Sequence, residues 1–357
     1  MRLQVDVFVV GLGPGGGAAA WAAAAAGLRV LAVDRRRVIG QPVQCAEFIP
    51  LPMSRYASAA PLRVQLISGM KSFLPSGAIE NTDFPGLIID RAGFDAALCE
   101  RAQLAGAQIR MASSLKSLDV AKGVAVCDGL DGVFEVEYQL VIAADGPHST
   151  CAKALGLPPL KTVNTRQYAV PLRGPYVDTD IWVSDEYPGG YAWLFPKGDV
   201  ANLGLGADKR FESDLKSSLD RLHLQLVKQG LVGAEILSRT GGAIPVGGLR
   251  EHLVVDRCVF VGDAGGFTHP ITGAGIASAV ISGERAGAAA AEFLDGKGDG
   301  ALAEYDEDMR DQYGPSLARA VAKRTWLNTL WRTPRAQQDA AMRGGWIAFD
   351  EYFAETA

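Results

Sequence analysis

The sequence predicts an α/β chain: strand–helix units of nucleotide-binding type, separated along the sequence, frame a β-rich insertion, and helices close the C-terminus. Three observations carry this. An apolar run at Val7-Phe8-Val9-Val10 closes on a glycine-rich turn, and two later runs close on Asp145-Gly146 and Gly262-Asp263. Residues from about 160 to 207 read as strands, with turns at Gly174-Pro175, Pro188-Gly189-Gly190 and Lys197-Gly198. Helical spacing then dominates, and the stretch 300–357 reads as mostly helical.

The first unit has the physics of a dinucleotide pyrophosphate site. Gly11 permits a tight turn off the strand, and Gly13 and Gly15 keep the backbone bare where a pyrophosphate approaches. Gly16 lets the following helix pack closely, and that helix directs its N-terminus at the negative charge. Asp34 ends the next strand, about twenty residues on, where an acid bonds a ribose hydroxyl. A G-x-G-x-x-G match alone says little in a chain with 42 glycines. Here the strand, alanine-rich helix, second strand and acid all follow in order. No charge falls between Asp6 and Arg29, which also suggests a membrane anchor. Glycines and a proline interrupt the run, and an alanine helix is barely apolar enough for lipid.

Composition narrows the class. A length of 357 residues suits about two domains, and 48% hydrophobic with 21% charged residues is ordinary for a globular protein. The net charge of −5 gives no basic footprint, so no nucleic-acid partner is expected. Five scattered cysteines without a C-x-x-C pair argue against zinc and disulfides and fit a reducing, cytoplasmic setting.

Along the chain, residues 41–60 read as irregular, 63–74 as a strand or two, 91–105 as a helix, and 134–144 as one strand. A helical stripe is expected at Phe211, Leu215, Leu219, Leu222 and Leu226, ended by Gly230. A strand at 258–261 precedes a helix from near Gly273 to about Leu294. The tail is expected to break at Gly314-Pro315 and Thr333-Pro334. The segments 1–68, 86–158 and 240–295 are assigned to a discontinuous nucleotide-binding domain. Segments 69–85 and 159–239 form the β-rich substrate domain, and 296–357 the C-terminal helical region.

Acids at strand carboxyl ends face ligands in open α/β sheets, which singles out Asp145 and Asp263. After Asp263, the stretch Gly273-Ala274-Gly275-Ile276 is a glycine-rich helix entry with Thr272 as its N-cap. Its free N–H groups suit a partly negative ring edge, such as the pyrimidine side of a reduced flavin.

With these pieces the chain resembles FAD-dependent oxidoreductases of the para-hydroxybenzoate hydroxylase type over roughly residues 1–295. The matches are Gly11-x-Gly13-x-x-Gly16, Asp34, Arg91-x-x-Phe94-Asp95, Asp145-Gly146-x-x-Ser149 and Gly262-Asp263-Ala264. The resemblance implies a Rossmann-like FAD-binding domain. It sets Gly11, Gly13, Gly15, Gly16, Asp34, Arg35, Arg91, Asp145, Gly262, Asp263, Gly273, Ala274, Gly275 and Ile276 against the cofactor. The arginine usual after the Asp-Gly motif is replaced by Ala152. Arg35-Arg36-Arg37 reads as a solvated basic turn rather than an NADP phosphate site, because Asp34 would repel that phosphate.

Within that group, Tyr191-x-Trp193-x-Phe195-Pro196 resembles the signature of geranylgeranyl reductases. Gln44-Cys45-Ala46 does so as well, although the longer glycine-rich stretch after the cysteine is absent. Flavin-dependent halogenases carry Trp-x-Trp-x-Ile-Pro at this place, and two of those three positions differ here. Alternate strand residues share a face, so Tyr191, Trp193 and Phe195 form an apolar wall, with Pro196 and Pro270 assigned to the same substrate cavity. Cys45, Tyr191 and His269 are the candidate catalytic groups.

The leading expectation is FAD-dependent reduction of a carbon–carbon double bond in a large apolar, isoprenoid-like substrate. No second βαβ fingerprint appears, so the electron donor is transient NAD(P)H or a protein. The alternatives are a flavin monooxygenase acting on an aromatic ring and a non-catalytic flavin- or lipid-binding protein. Trp326, Trp331 and Trp346, with nearby arginines, either dock the C-terminus or touch a membrane surface or a lipid substrate.

Overall fold

The computed structural model describes residues 2–58, 60–211 and 214–354. The last residues of the expected helical tail, 355–357, lie outside them, as do Met1, Ala59, Glu212 and Ser213.

The short apolar runs form one six-stranded sheet. Its order is Val254–Val255, Cys258–Phe260, Leu140–Ala143, Val7–Val10, Val30–Val33 and Gln108–Arg110. Every pairing is parallel except that of the edge strand Val254–Val255. All the motif-bearing strands therefore end on one side. Strand residues alternate between two covered faces, which is why these runs read as continuously apolar. Val7, Val9, Ala32, Leu140 and Ile142 pack under helices, while Phe8, Val10, Leu31, Val33 and Val141 pack on a second, four-stranded sheet.

That second sheet corrects one expectation. Residues 134–144 are two strands, Gly132–Glu137 and Leu140–Ala143, belonging to different sheets. The pattern changes where the sheet does: Glu135 and Glu137 alternate with buried residues, whereas Leu140–Ala143 is buried throughout. Within the stretch expected to be irregular, Phe48–Pro50 is a strand paired to Gly86–Ile89, followed by a 3-10 segment Leu51–Ala57.

The insertion forms the largest sheet, with neighbouring strands Ser238–Thr240, Thr162–Pro171, Val200–Ala207, Ala192–Lys197, Asp178–Trp182, Gly69–Phe73 and Ile79–Thr82. One face packs on the helix Leu215–Lys228 through Leu219, Leu222 and Leu226. Phe211 precedes that helix and packs elsewhere, with Trp331 and Trp346, because Asp214 caps the helix and sets its start.

The helix Asp299–Leu330 runs unbroken through Pro315, against expectation. Pro315 and Asp311 are both exposed, so water can reach the carbonyl that the proline leaves unbonded. Burial of Leu302, Tyr305 and Met309 at one end and Leu317, Ala320 and Leu330 at the other holds the helix on either side. The chain does break at Thr333-Pro334, as expected. Trp331 and Trp346 are about 95% buried, so they dock the C-terminal segment rather than face a membrane. Among the described residues no helix is long and apolar enough to cross a membrane.

Candidate active site

The glycine turn is built by close approach. Gly11 sits at φ +98°, and a Cβ there would meet the Ala144 carbonyl oxygen at 2.3 Å. A Cβ on Gly16 would lie 1.8 Å from the Gly11 carbonyl oxygen, so only glycine lets the helix Pro14–Ala25 start here. Gly13 has open space where its Cβ would be, and it begins the helix with no side-chain cap. Bare backbone and free first-turn N–H groups together suit a pyrophosphate. Gly15 sits in the first turn, and the side where its Cβ would stand packs against Ala279 of the helix Ile276–Glu292.

The acids fall at the strand ends. Asp34 accepts hydrogen bonds from the Leu12 and Arg36 amides, both at 2.8 Å, which fixes the turn and leaves lone pairs for ribose hydroxyls. Arg35 is exposed beside it. Asp145 accepts from the Cys151 amide at 3.0 Å, while its other oxygen is buried without a partner. Asp263 is bonded by the Thr268 hydroxyl, and burial raises its pKa. The bare turn, uncapped helix and orphaned Asp145 oxygen all fit a dinucleotide lying across the strand ends.

Thr272 is not a helix cap. The segment folds into a compact turn, with the His269 amide donating to the Ala274 carbonyl at 2.9 Å and the Gly273 amide donating to the His269 carbonyl at 2.9 Å. The helix then starts at Gly275 with no side-chain cap, which leaves N–H groups for a ring edge. The Ile276 side chain is buried in the core, so only its backbone can serve a ligand. His269 Nδ1 accepts from the Thr272 amide at 3.2 Å, and its Nε2 is buried and unbonded. Burial lowers its pKa to about 4, so the ring is neutral near pH 7, with Nε2 as the N–H donor.

The Cys45 loop is tied to everything around it. The Glu47 amide donates to the Cys45 sulfur at 3.2 Å, and Gln167 Nε2 donates to the Cys45 carbonyl at 3.0 Å. Arg91 pairs with Asp95 at 2.9 Å and lies close to the same sulfur. Burial works against the Arg91 charge, but Asp95 and Cys45 outweigh it and hold the guanidinium above its ordinary pKa.

Glu47 was missed from sequence. It is 97% buried, stands at φ +69°, and accepts from Lys197 Nζ at 2.7 Å, Asn202 Nδ2 at 3.0 Å and the Arg91 amide at 3.1 Å. It joins the cysteine loop, the Arg91 helix and the end of the aromatic strand. The only available signal was a lone acid just after the cysteine, with Lys197 closing the aromatic motif.

Tyr191, Trp193 and Phe195 do share a face, while Ala192 and Leu194 point into the opposite core. Pro196 follows that alternation and is corrected to the far side. Pro270 is buried, and its carbonyl accepts from Arg324 at 3.2 Å. The aromatic wall is longer than its motif. Phe84 stacks on Phe48 at 5.6 Å, Phe48 meets Phe195 at 6.0 Å, Tyr191 meets Trp193 at 5.6 Å, and Tyr191 meets Trp346 at 4.9 Å. A cavity of about 30 Å³ lies at the Tyr191–Trp346 end, also lined by Ile271, Trp331 and Met342. The Tyr191 hydroxyl donates to the Thr272 carbonyl, and burial raises its pKa, so it is a poor acid that ties the wall to the glycine-rich loop.

Fold and site together define a nucleotide-binding oxidoreductase of the FAD-dependent hydroxylase architecture. A solved ternary complex of aklavinone-11 hydroxylase with FAD and aklavinone shares that fold, at TM-score 0.71 and 20% identity, over 93% of this chain and 72% of that one. A geranylgeranyl bacteriochlorophyll reductase-like protein from Thermoplasma acidophilum superposes at TM-score 0.83 with 25% identity, over 97% and 96% of the two chains. Digeranylgeranylglycerophospholipid reductase 2 of Methanopyrus kandleri is 35% identical over 341 residues, covering 89% of this chain and 85% of its own. The corresponding reductase of Methanocaldococcus jannaschii is 32% identical over 340 residues, covering 91% and 87%. No protein-family model matches the chain. The chain belongs to the geranylgeranyl reductase family.

Proposed function

We propose that the protein is an FAD-dependent reductase that saturates carbon–carbon double bonds of an isoprenoid lipid. The observation that carries this is the aromatic track made by Phe84, Phe48 and Phe195 and, further along the same strand face, Trp193, Tyr191 and Trp346. Gln167 bonds both Trp193 and the Cys45 carbonyl, and Tyr191 anchors the track to the glycine-rich loop. A long track of ring faces suits a prenyl chain better than a compact polar ring.

FAD would lie across Gly11, Gly13, Gly16, Asp34, Arg91, Asp145, Asp263 and the Gly273–Ile276 backbone. When bound and reduced it supplies a hydride from N5. The chain's own groups do the remainder. The track holds an alkene close and excludes water, which an unpolarised double bond requires. Cys45 is the best-placed proton source for the second carbon, because the Tyr191 proton is committed to Thr272. His269 Nε2–H is buried and unbonded, a neutral donor free to orient a ligand. The division into a discontinuous FAD domain, a substrate domain and a helical tail belongs to the same reading, as does action close to a membrane that holds the lipid.

The test is product analysis without oxygen. Reduced enzyme and a polyprenyl substrate should give a product heavier by two hydrogens per double bond saturated. A strict oxygen requirement with a hydroxylated product would replace this reading with the monooxygenase one.

A further inference from the structure

An open groove of about 480 Å³ lies on the largest sheet, and none of the residues assigned above to FAD or to the prenyl chain lines it. Its floor is the pairing of Thr162–Pro171 with Ser238–Thr240, in which Tyr168 stands opposite Arg239. Arg166 and Arg239 both reach the Tyr168 ring, their guanidinium carbons 5.8 and 5.7 Å from its centroid. Among the described residues neither arginine forms an ion pair, and Arg166 Nε is buried without a hydrogen bond. Asp220 is the acid that feels Arg166, but its carboxylate is already taken by Lys216 at 2.6 Å and by the Tyr168 hydroxyl at 2.8 Å.

Two guanidinium groups drawn to one ring repel each other, and a buried donor left unbonded costs free energy. An anion between them would answer both. Guanidinium groups match phosphate oxygens with paired N–H donors. The two arginines share the face of Tyr168, under the helix Leu215–Lys228 and opposite the aromatic wall, while Thr240 and Gly241 carry the groove round the sheet edge. Gln44 donates to the Gly241 carbonyl at 2.6 Å, and the Thr240 hydroxyl donates to the Val43 carbonyl at 2.9 Å. The groove wall is thus bonded to the loop that carries Cys45.

We propose that this groove binds the phosphate of a phosphorylated partner in the flavin reaction, through Arg166 and Arg239. The partner is either a nicotinamide dinucleotide donor or the phosphorylated head of the prenyl substrate. The choice of partner rests on the reductase reading; the phosphate site itself does not.

Calorimetry of the FAD-loaded protein with inorganic pyrophosphate tests the site directly. Binding should weaken as salt rises and fall about tenfold or more in Arg239→Gln and in Arg166→Gln, the loss expected for a charge-assisted hydrogen bond. Arg239 is exposed, so its variant keeps the fold even if Arg166→Gln does not. No pyrophosphate binding, or binding unchanged in both variants, overturns the site. Two half-reactions then identify the source. If the donor docks here, Arg239→Gln slows flavin reduction by NADPH and leaves reoxidation intact. If the lipid head docks here, it erases the preference for a prenyl phosphate over the matching alcohol. Wild-type rates in both half-reactions would overturn the link to the flavin reaction. A protein that binds pyrophosphate but never passes electrons to a prenyl chain would instead refute the reductase reading alone.

Discussion

Glu47 is held in a left-handed conformation that costs a side-chain-bearing residue about 1–2 kcal/mol. Its carboxylate offsets this by gathering Lys197, Asn202 and the Arg91 amide in the interior. Glu47→Ala should therefore destabilise the protein by about 3 kcal/mol or more, since Lys197 loses its partner. Denaturant titration measures this, and a loss under 1 kcal/mol would show the network to be dispensable. His269 gives a pH signature. Its folded pKa of about 4 lies below the ordinary 6.5, so the unfolded chain takes the proton first. The stability it contributes is full above pH 6.5 and is lost as pH falls toward 4. Asp180, raised to about 6 by burial, acts in the opposite sense over part of this window. The readout is thus the Tm difference between wild type and His269→Gln, which should shift in favour of the variant on acidification. The glycines, Asp34, Asp145 and Asp263 were legible because each answers a local demand of a strand end. Glu47 was not legible, because its role comes from three partners distant in sequence.

At the scale of elements, the alanine-rich helix makes sense only beside its neighbour. A Cβ on Gly283 would stand 2.2 Å from the Gly15 carbonyl oxygen, and one on Gly287 would stand 2.6 Å from that of Ala19. The helices Pro14–Ala25 and Ile276–Glu292 touch backbone to backbone, which positions the N-terminus of the first against the glycine-rich loop. Gly283→Ala should cost about 1–3 kcal/mol by overpacking and should also weaken FAD binding, although residue 283 is not among those assigned to the cofactor. Thermal melts and FAD titration on one preparation test this; unchanged values for both would contradict the coupling. Sequence patterning read the strand–helix units well because burial on both faces leaves continuous apolar runs. It failed at Pro315, where solvent exposure makes a proline tolerable. It failed again at 134–144, where one strand-like stretch serves two sheets.

Across the whole molecule, one sheet collects its motif-bearing strand ends on a single side. The largest sheet supplies an aromatic face, and the C-terminal segment covers the far end of that face with Trp331 and Trp346. The sequence motifs pointed to both halves. The length of the track did not show, because Phe48, Phe84 and Trp346 come from three separate segments. The central claim is that reduced flavin delivers its electrons to an alkene held on this track. Anaerobic stopped-flow of the chemically reduced, FAD-loaded protein measures it most directly. A polyprenyl substrate should reoxidise the flavin in the absence of oxygen, and should do so more slowly in Trp193→Ala. Reoxidation by oxygen alone, with every polyprenyl compound inert, would contradict the account.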